Sequence, residues 1–364
     1  MHSNNKTFIK ELEIRQAWIQ DYILNDRFVS RFRPPEVQWA VTAYVRYGGK
    51  RLRPAILLFS CGAVGGDESI AIPAASAVEI FHTWTLVHDD IIDRDSTRRG
   101  SETVHEHYYK KTSSGKGEFV LNERDARHYG ISVAILTGDI QHGWGISMMT
   151  ELTSLNGIPA EVTLDLINDL DTRVLNTLVE GEVLDIQFSF RSIEDLTPYQ
   201  IEEMLWKKTG ALYEFCGRAG ATIGLGRSND PLIEAVSKFS ALCGTAFQFQ
   251  DDILGVIGHE KSLGKPVGSD LREGKGTLVV YYAYHNANSE QKEKLQRILG
   301  NSNSTDEDID EVVKLLQDLG GIDHVSKRAR ELIEEARTHL SVLPDSKYKD
   351  LLWQWSEYMV NREF

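Results

Sequence analysis

The sequence predicts an all-α protein folded as one large domain over residues 1–364. Three observations carry that reading. Nearly every long segment spaces its apolar residues at helical rather than strand intervals. A hydrophobic content of 41 % is ample for a large core. No Pro/Gly-rich linker, internal repeat or low-complexity tract divides the chain.

The elements follow in order. "AIPAASAVEIFHTWTLVHDDIID", Ala71–Asp93, is apolar almost all round, as a helix at the centre of a bundle must be. The polar stretch Tyr108–Gly130 reads as an inserted surface loop around residues 108–130. Thr197, Pro198 and Gln200 form a capping-box pattern with proline in the first helical turn. Further on, Val312, Leu315, Leu316 and Leu319 make one stripe that Gly320–Gly321 stops. A last stripe of Ala329, Leu332, Ile333, Ala336 and Leu340 ends near Pro344.

A net charge of −14 argues against nucleic acid, which is gripped through clustered basic residues. It argues equally against electrostatic docking on anionic lipid. Cys61, Cys216 and Cys243 are far apart, with no metal-type spacing, and fit free thiols in a reduced compartment. No signal-peptide core and no run of about 18 apolar residues is present. The expectation is a soluble cytoplasmic protein without a membrane span.

The chemistry concentrates in "TLVHDDIIDRDSTRRGS", Thr85–Ser101. Residues four apart share a helix face, so Asp89 and Asp93 project together while Asp90 turns to a neighbouring position. Paired carboxylates are tolerated when solvated, protonated or bridged by metal, and oxygen-only ligands suit a hard ion such as Mg²⁺. A second pair, Asp251–Asp252, sits among Phe247, Phe249, Ile253 and Leu254, where acids are rare unless paired or metal-bound. Two such pairs facing across a cavity could hold a Mg²⁺ cluster on one polyanion. Basic residues stand nearby in the sequence: Lys50, Arg51 and Arg53; Arg98 and Arg99; Lys207 and Lys208; Lys265 and Lys275. Next to metal-type carboxylates in so acidic a chain, they point to anionic substrates. Two glycine-flanked lysines imitate a phosphate loop, but the glycine spacing is wrong and Pro266 and Gly276 replace the required hydroxyl.

With "GGKRLRP", "HDDIIDRDSTRRG", "TGD", "KTG", "FQFQDDILG" and "GKPVGSDLREGK" in this order, the chain resembles the trans-isoprenyl diphosphate synthases, the polyprenyl synthetase family. The likeness runs from about Tyr47 to the C-terminus and leans toward the archaeal-type geranylgeranyl diphosphate synthases. It implies an all-α homodimer, each chain a helical bundle around a central active-site cavity. It also implies about three Mg²⁺ ions per site, with Asp89 and Asp93 binding two and Asp251 a third. By the same resemblance Arg98, Lys208, Lys265 and Lys275 hold an allylic diphosphate. Lys50, Arg53, His82 and Arg99 hold isopentenyl diphosphate, and Thr209 and Gln248 lie beside the reacting carbons. The second motif ends in Gly255 where many members carry a third Asp, a departure shared by archaeal-type relatives.

The growing tail should run from the metal site down the Ala71–Asp93 helix. Trp84 lies five residues before Asp89, about 7.5 Å along the axis, and Phe81 eight before it, about 12 Å. In the family a bulky residue at the fifth upstream position sets the pocket floor. Thr85 at the fourth leaves room that farnesyl synthases often block. The expected product is therefore C20, with C15 or a longer chain as the alternative. A class I terpene cyclase would not need the Lys50, Arg53 and Arg99 set. A non-catalytic subunit of a heteromeric synthase would tend to lose the aspartates and basic ligands that are intact here.

Overall fold

The computed structural model describes residues 2–25, 27–114, 119–257, 269–301 and 303–361. Helices α1 (His2–Leu24), α2 (Pro35–Arg46) and α3 (Leu52–Ala63) lead to α4 (Ile72–Ile92). Because α4 is apolar all round it has almost no solvent face in its first half, where Pro73–Phe81 are all buried. By length and a mean hydropathy of 1.4, the segment Glu68–Ile92 could cross a membrane. Yet 67 % of that window is buried against other helices, which accounts for its apolarity.

A turn and a small antiparallel pair follow α4, with Thr97–Arg98 against Ser101–Glu102. Arg99 and Gly100 close the pair at φ of 54° and 73°, the left-handed region that tight hairpins need. Helices α5 (Val104–Ser113) and α6 (Glu123–Met149) then pack on each other. The expected 108–130 loop is thereby corrected: Tyr108–Ser113 belong to α5 and Glu123–Gly130 to α6. The Asn122 side chain caps α6 by accepting from the Asp125 N–H at 3.0 Å, and acids fill its first turn. Of the 108–130 stretch, residues 115–118 lie outside the described residues.

Two of the next helices are continued through π-helical turns. Helices α7 (Ala160–Asn168) and α8 (Leu175–Ser189) join through Asp169–Val174. Helices α9 (Pro198–Leu205) and α10 (Ala211–Leu225) join through Trp206–Gly210. The Thr197–Gln200 capping box starts α9 as its sequence predicts. Helix α11 (Pro231–Ile257) packs on α10, and α10 on α3. Helices α12 (Leu278–Asn286), α13 (Ser289–Ile298), α14 (Asp306–Asp318), α15 (Gly321–Thr338) and α16 (Lys347–Val360) complete the chain. One hydrophobic cluster runs continuously from Phe8 on α1 to Met359 on α16. The fold is all-α, as expected.

Candidate active site

A cavity of about 690 Å³ lies between the end of α4, the small β turn, α8, the Trp206–Gly210 turn and the last part of α11. Its cationic wall begins with Gly48 and Gly49, at φ of 86° and 140°. A Cβ on Gly49 would lie 2.7 Å from the Arg99 guanidinium, so only glycine lets that side chain pass. Arg99 donates to the carbonyl of Tyr44 at 2.9 Å and to that of Gly48. The Arg53 guanidinium lies over the Tyr213 ring, 4.4 Å from its centre, and Arg53 Nη1 is 3.2 Å from His82 Nε2. Burial pushes the His82 imidazole well below its ordinary range, and Arg53, Arg99 and Arg98 push it the same way. His82 is thus neutral and able to accept from a guanidinium. Lys50 completes this wall.

The acidic wall faces it. The Asp93 N–H donates to the Asp89 carbonyl at 2.8 Å, which carries the helical register to Asp93 and keeps both carboxylates on one face. Lys208 Nζ lies 3.6 Å from Asp89, 2.6 Å from Asp185 and 2.8 Å from Glu182. Burial works to lower the Lys208 ammonium, but Asp89, Asp185 and Glu182 outweigh it and hold its pKa well above the usual lysine range. Burial pushes Glu182 up to about 7, against the pull of Lys208. Lys275 Nζ stands 3.1 Å from Asp93 and 3.1 Å from Glu273. From α11, Asp251 lines the same cavity. Beside it Thr209 Oγ1 donates to Gln248 Oε1 at 2.8 Å, and Gln248 Nε2 donates to Asp252 at 3.0 Å.

The π-helical turn explains how Lys208 reaches this point. Lys207 pairs instead with Glu180 at 2.7 Å and Glu203 at 2.9 Å, while Lys208 and Thr209 line the cavity. The turn also touches α8 at Gly181, where a Cβ would collide with the Lys208 backbone nitrogen. Gly181→Ala is therefore expected to displace Lys208. Turnover should fall by about a hundredfold, as for a small misplacement of a catalytic group. Steady-state kinetics alongside far-UV circular dichroism checks this; wild-type turnover in a folded variant would contradict it.

Most residues singled out from the sequence do line this cavity: Lys50, Arg53, His82, Arg98, Arg99, Lys208, Thr209, Gln248, Asp251 and Lys275, together with Asp89, Asp93, Trp84 and Thr85. Lys265 lies outside the described residues. Phe81 is fully buried behind the wall, its ring 5.0 Å from that of Trp84. Asp90 is not merely turned aside but fully buried, accepting from Tyr44 Oη and from Arg98 Nε at 2.7 Å. One arginine of the pair is thus engaged with an acid of its own segment. Sequence reading missed Glu182 and Asp185, although an acidic i,i+3 pair amid Val183, Leu184 and Ile186 is the same signal that drew attention to Asp251.

The donor set suits a hard divalent cation. Asp89, Asp93 and Asp251 offer only oxygen, and such an ion takes one or two carboxylates with substrate oxygens and water for the rest. Lysines now stand against Asp89 and Asp93 where that positive charge would be.

Comparison with known proteins places these features in context. The family model described as polyprenyl synthetase matches residues 34–316. The geranylgeranyl diphosphate synthase of Methanosarcina mazei is 35 % identical over 98 % of this chain and 99 % of its own. The geranylfarnesyl diphosphate synthase of Aeropyrum pernix is 34 % identical over 93 % of this chain and 99 % of its own. Among solved structures, geranylgeranyl pyrophosphate synthase from Corynebacterium glutamicum, complexed with isoprenyl diphosphate and magnesium, superimposes with a TM-score of 0.80. It is 26 % identical and covers 99 % of each chain.

Proposed function

This chain belongs to the polyprenyl synthetase family, and from that premise we propose that it condenses isopentenyl diphosphate head-to-tail with an allylic diphosphate to give geranylgeranyl diphosphate, C20. The enzyme is a prenyltransferase. One observation carries the substrate reading: a single cavity has two separate cationic groups, one mixed with carboxylates and one without. The mixed group, Lys208 and Lys275 with Asp89, Asp93 and Asp251, takes the allylic diphosphate, and Arg98 flanks it. The other, Lys50, Arg53 and Arg99 with His82, takes isopentenyl diphosphate. A terpene cyclase has no use for the second group, and a non-catalytic subunit has no reason to keep both.

Asp89, Asp93 and Asp251 would hold Mg²⁺, about three ions in all, which when bound neutralises charge on the departing diphosphate. The chain's own groups do the rest. Lys208 and Lys275 stabilise the negative charge that builds as the allylic carbon–oxygen bond breaks. Lys50, Arg53 and Arg99 hold the second substrate so that its double bond attacks the allylic carbon, and its proton then passes to the released diphosphate. Thr209 and Gln248, fixed by Asp252, border the reacting carbons. Leu178, Leu205, Leu212 and Phe247 give the cavity an apolar side that keeps water from the cation.

The apolar residues Ile131, Ile135 and Leu136 of α6 and Val179 and Val183 of α8 are exposed in one chain. A second copy covering them makes a homodimer, the state we propose. The three cysteines are free and buried, in keeping with a cytoplasmic setting.

Incubating the purified protein with Mg²⁺, isopentenyl diphosphate and dimethylallyl, geranyl or farnesyl diphosphate tests this reading. Linear C20 diphosphate is expected; cyclic hydrocarbons alone, or no turnover, would overturn it. Trp84 sets the length. Its ring is braced by Phe81, His88 and His142, with ring centres 5.0, 5.7 and 5.2 Å away, so the floor is stiff. Trp84→Ala should therefore lengthen the main product by one or more five-carbon units, and an unchanged product spectrum on chromatography would refute the assignment.

A further inference from the structure

The turn that presents Lys275 to the acidic wall is held from outside the cavity. Lys275 follows Gly274, which takes φ 72°, and its ammonium stands 3.1 Å from Asp93 on α4 and 3.1 Å from Glu273 of its own turn. The turn closes on the buried Leu271, whose carbonyl accepts two N–H groups. One comes from Gly274 at 3.2 Å, the other from Gly300, just past the end of α13, at 2.9 Å. A carbonyl oxygen has two lone pairs, so one atom can tie both segments. Gly300 also takes φ 72°, and the two glycines meet backbone to backbone. A Cβ on Gly274 would lie 2.9 Å from Gly300 Cα, an approach open only to glycine. Arg272 adds a second tie to the same region, 2.5 Å from Asp306 at the start of α14. Asp306 is almost fully exposed, and a pair so placed holds little. The Leu271 carbonyl is therefore the contact that sets the turn.

We propose that Gly300 is a positioning residue for the condensation: through the Leu271 carbonyl and Gly274 it fixes where the Lys275 ammonium stands opposite Asp93. Gly300 does not itself line the cavity and touches neither substrate nor reacting atoms. The consequence is confined to one wall. A displaced Lys275 loosens the allylic diphosphate and stabilises less of the charge that builds there, while Lys50, Arg53 and Arg99 stay as they were. This inference rests on the assignment of Lys275 to the allylic diphosphate.

Substitutions at Gly300 separate space from backbone conformation. A Cβ there would meet Gly274 Cα at 3.5 Å, an ordinary contact, so a side chain fits and only φ restricts it. Asparagine tolerates the left-handed region; β-branched valine does not. Gly300→Val is expected to raise the KM for the allylic diphosphate and lower kcat, each about tenfold, with the KM for isopentenyl diphosphate unchanged. Gly300→Asn should stay close to wild type in all three. Combined with Lys275→Gln, Gly300→Val should lower turnover no further, because the group it displaces is gone. Gly300→Ala strains the backbone less and serves if circular dichroism shows the valine variant unfolded. It should give a smaller loss of the same pattern, again absent beside Lys275→Gln. Equal losses with and without Lys275→Gln, or a rise in KM for both substrates alike, would overturn the proposal. So would wild-type kinetics in the folded variants. If Lys275→Gln alone leaves turnover and the allylic KM unchanged, the assignment of Lys275 fails, and this inference with it.

Discussion

Asp89→Asn is expected to lower turnover by about a thousandfold, the upper range for losing one group that stabilises transition-state charge, while leaving thermal stability near wild type. Asp89 is part-exposed at the cavity wall, and among the described residues its nearest cation, Lys208, is 3.6 Å away and already held by Asp185 and Glu182. A part-exposed, loosely matched ion pair contributes little to folding, on the order of 1 kcal/mol or less. Its removal therefore hardly disturbs the bundle. The same carboxylate is the only acid besides Asp93 that α4 presents to the cavity. In the proposed reading, losing it removes a carboxylate that would help hold the metal on the allylic diphosphate. The KM for isopentenyl diphosphate should stay close to wild type, because Lys50, Arg53 and Arg99 are on the other wall. Steady-state kinetics with each substrate varied in turn, beside a thermal melt, reads all three expectations. A large loss of stability, or loss of turnover that is mostly a rise in KM for isopentenyl diphosphate, would refute the role given to Asp89.

The neighbouring positions show how far sequence alone could go. The i,i+4 rule placed Asp89 and Asp93 on one face, and the apolar setting of Asp251 marked it as a buried acid with a purpose. Both are local patterns, legible without tertiary knowledge. The helices were legible for the same reason, since their stripes and caps are local. What escaped was set across the fold. Lys208 meets Asp185 from 23 positions away, and Tyr44 meets Asp90 from 46 away. No spacing rule links such pairs. The π-helical turn that carries Lys207 and Lys208 breaks the 3.6-residue period on which pattern reading depends. Distance along an axis says nothing about direction around it: counting put Phe81 about 12 Å from Asp89, and only the fold shows its ring buried 5.0 Å from that of Trp84. Residues 108–130 read as a loop because glycine, lysine and serine at the centre hid two helix ends, the second of which the fold shows capped by Asn122.

Asp90→Ala should give the opposite result to Asp89→Asn: a destabilised protein, by about 3 kcal/mol from an uncompensated buried charge, or a melting temperature lower by about 4 °C for a chain of this size. Asp90 is fully buried and accepts from Tyr44 and from Arg98. Burial pushes its carboxyl up to about 6, against the pull of Arg98 and Tyr44, so at pH 7 it remains a charged partner. Alanine leaves Arg98 with Asp95 at 3.3 Å and Asp89 at 3.9 Å. Turning toward Asp89, the guanidinium would occupy a carboxylate that the reaction needs, so turnover falls as well. The variant Asp90→Leu with Arg98→Met separates the two effects. A buried ion pair exchanged for apolar side chains is often neutral in stability, so the melting temperature should recover most of the loss. Turnover should not recover, because Arg98 itself lines the cavity, on the wall where we propose the allylic diphosphate binds. Stability restored without activity would show that Asp90 serves the site only by fixing Arg98. Activity returning together with stability would mean that Arg98 is a structural residue and that Lys208 and Lys275 hold the diphosphate without it.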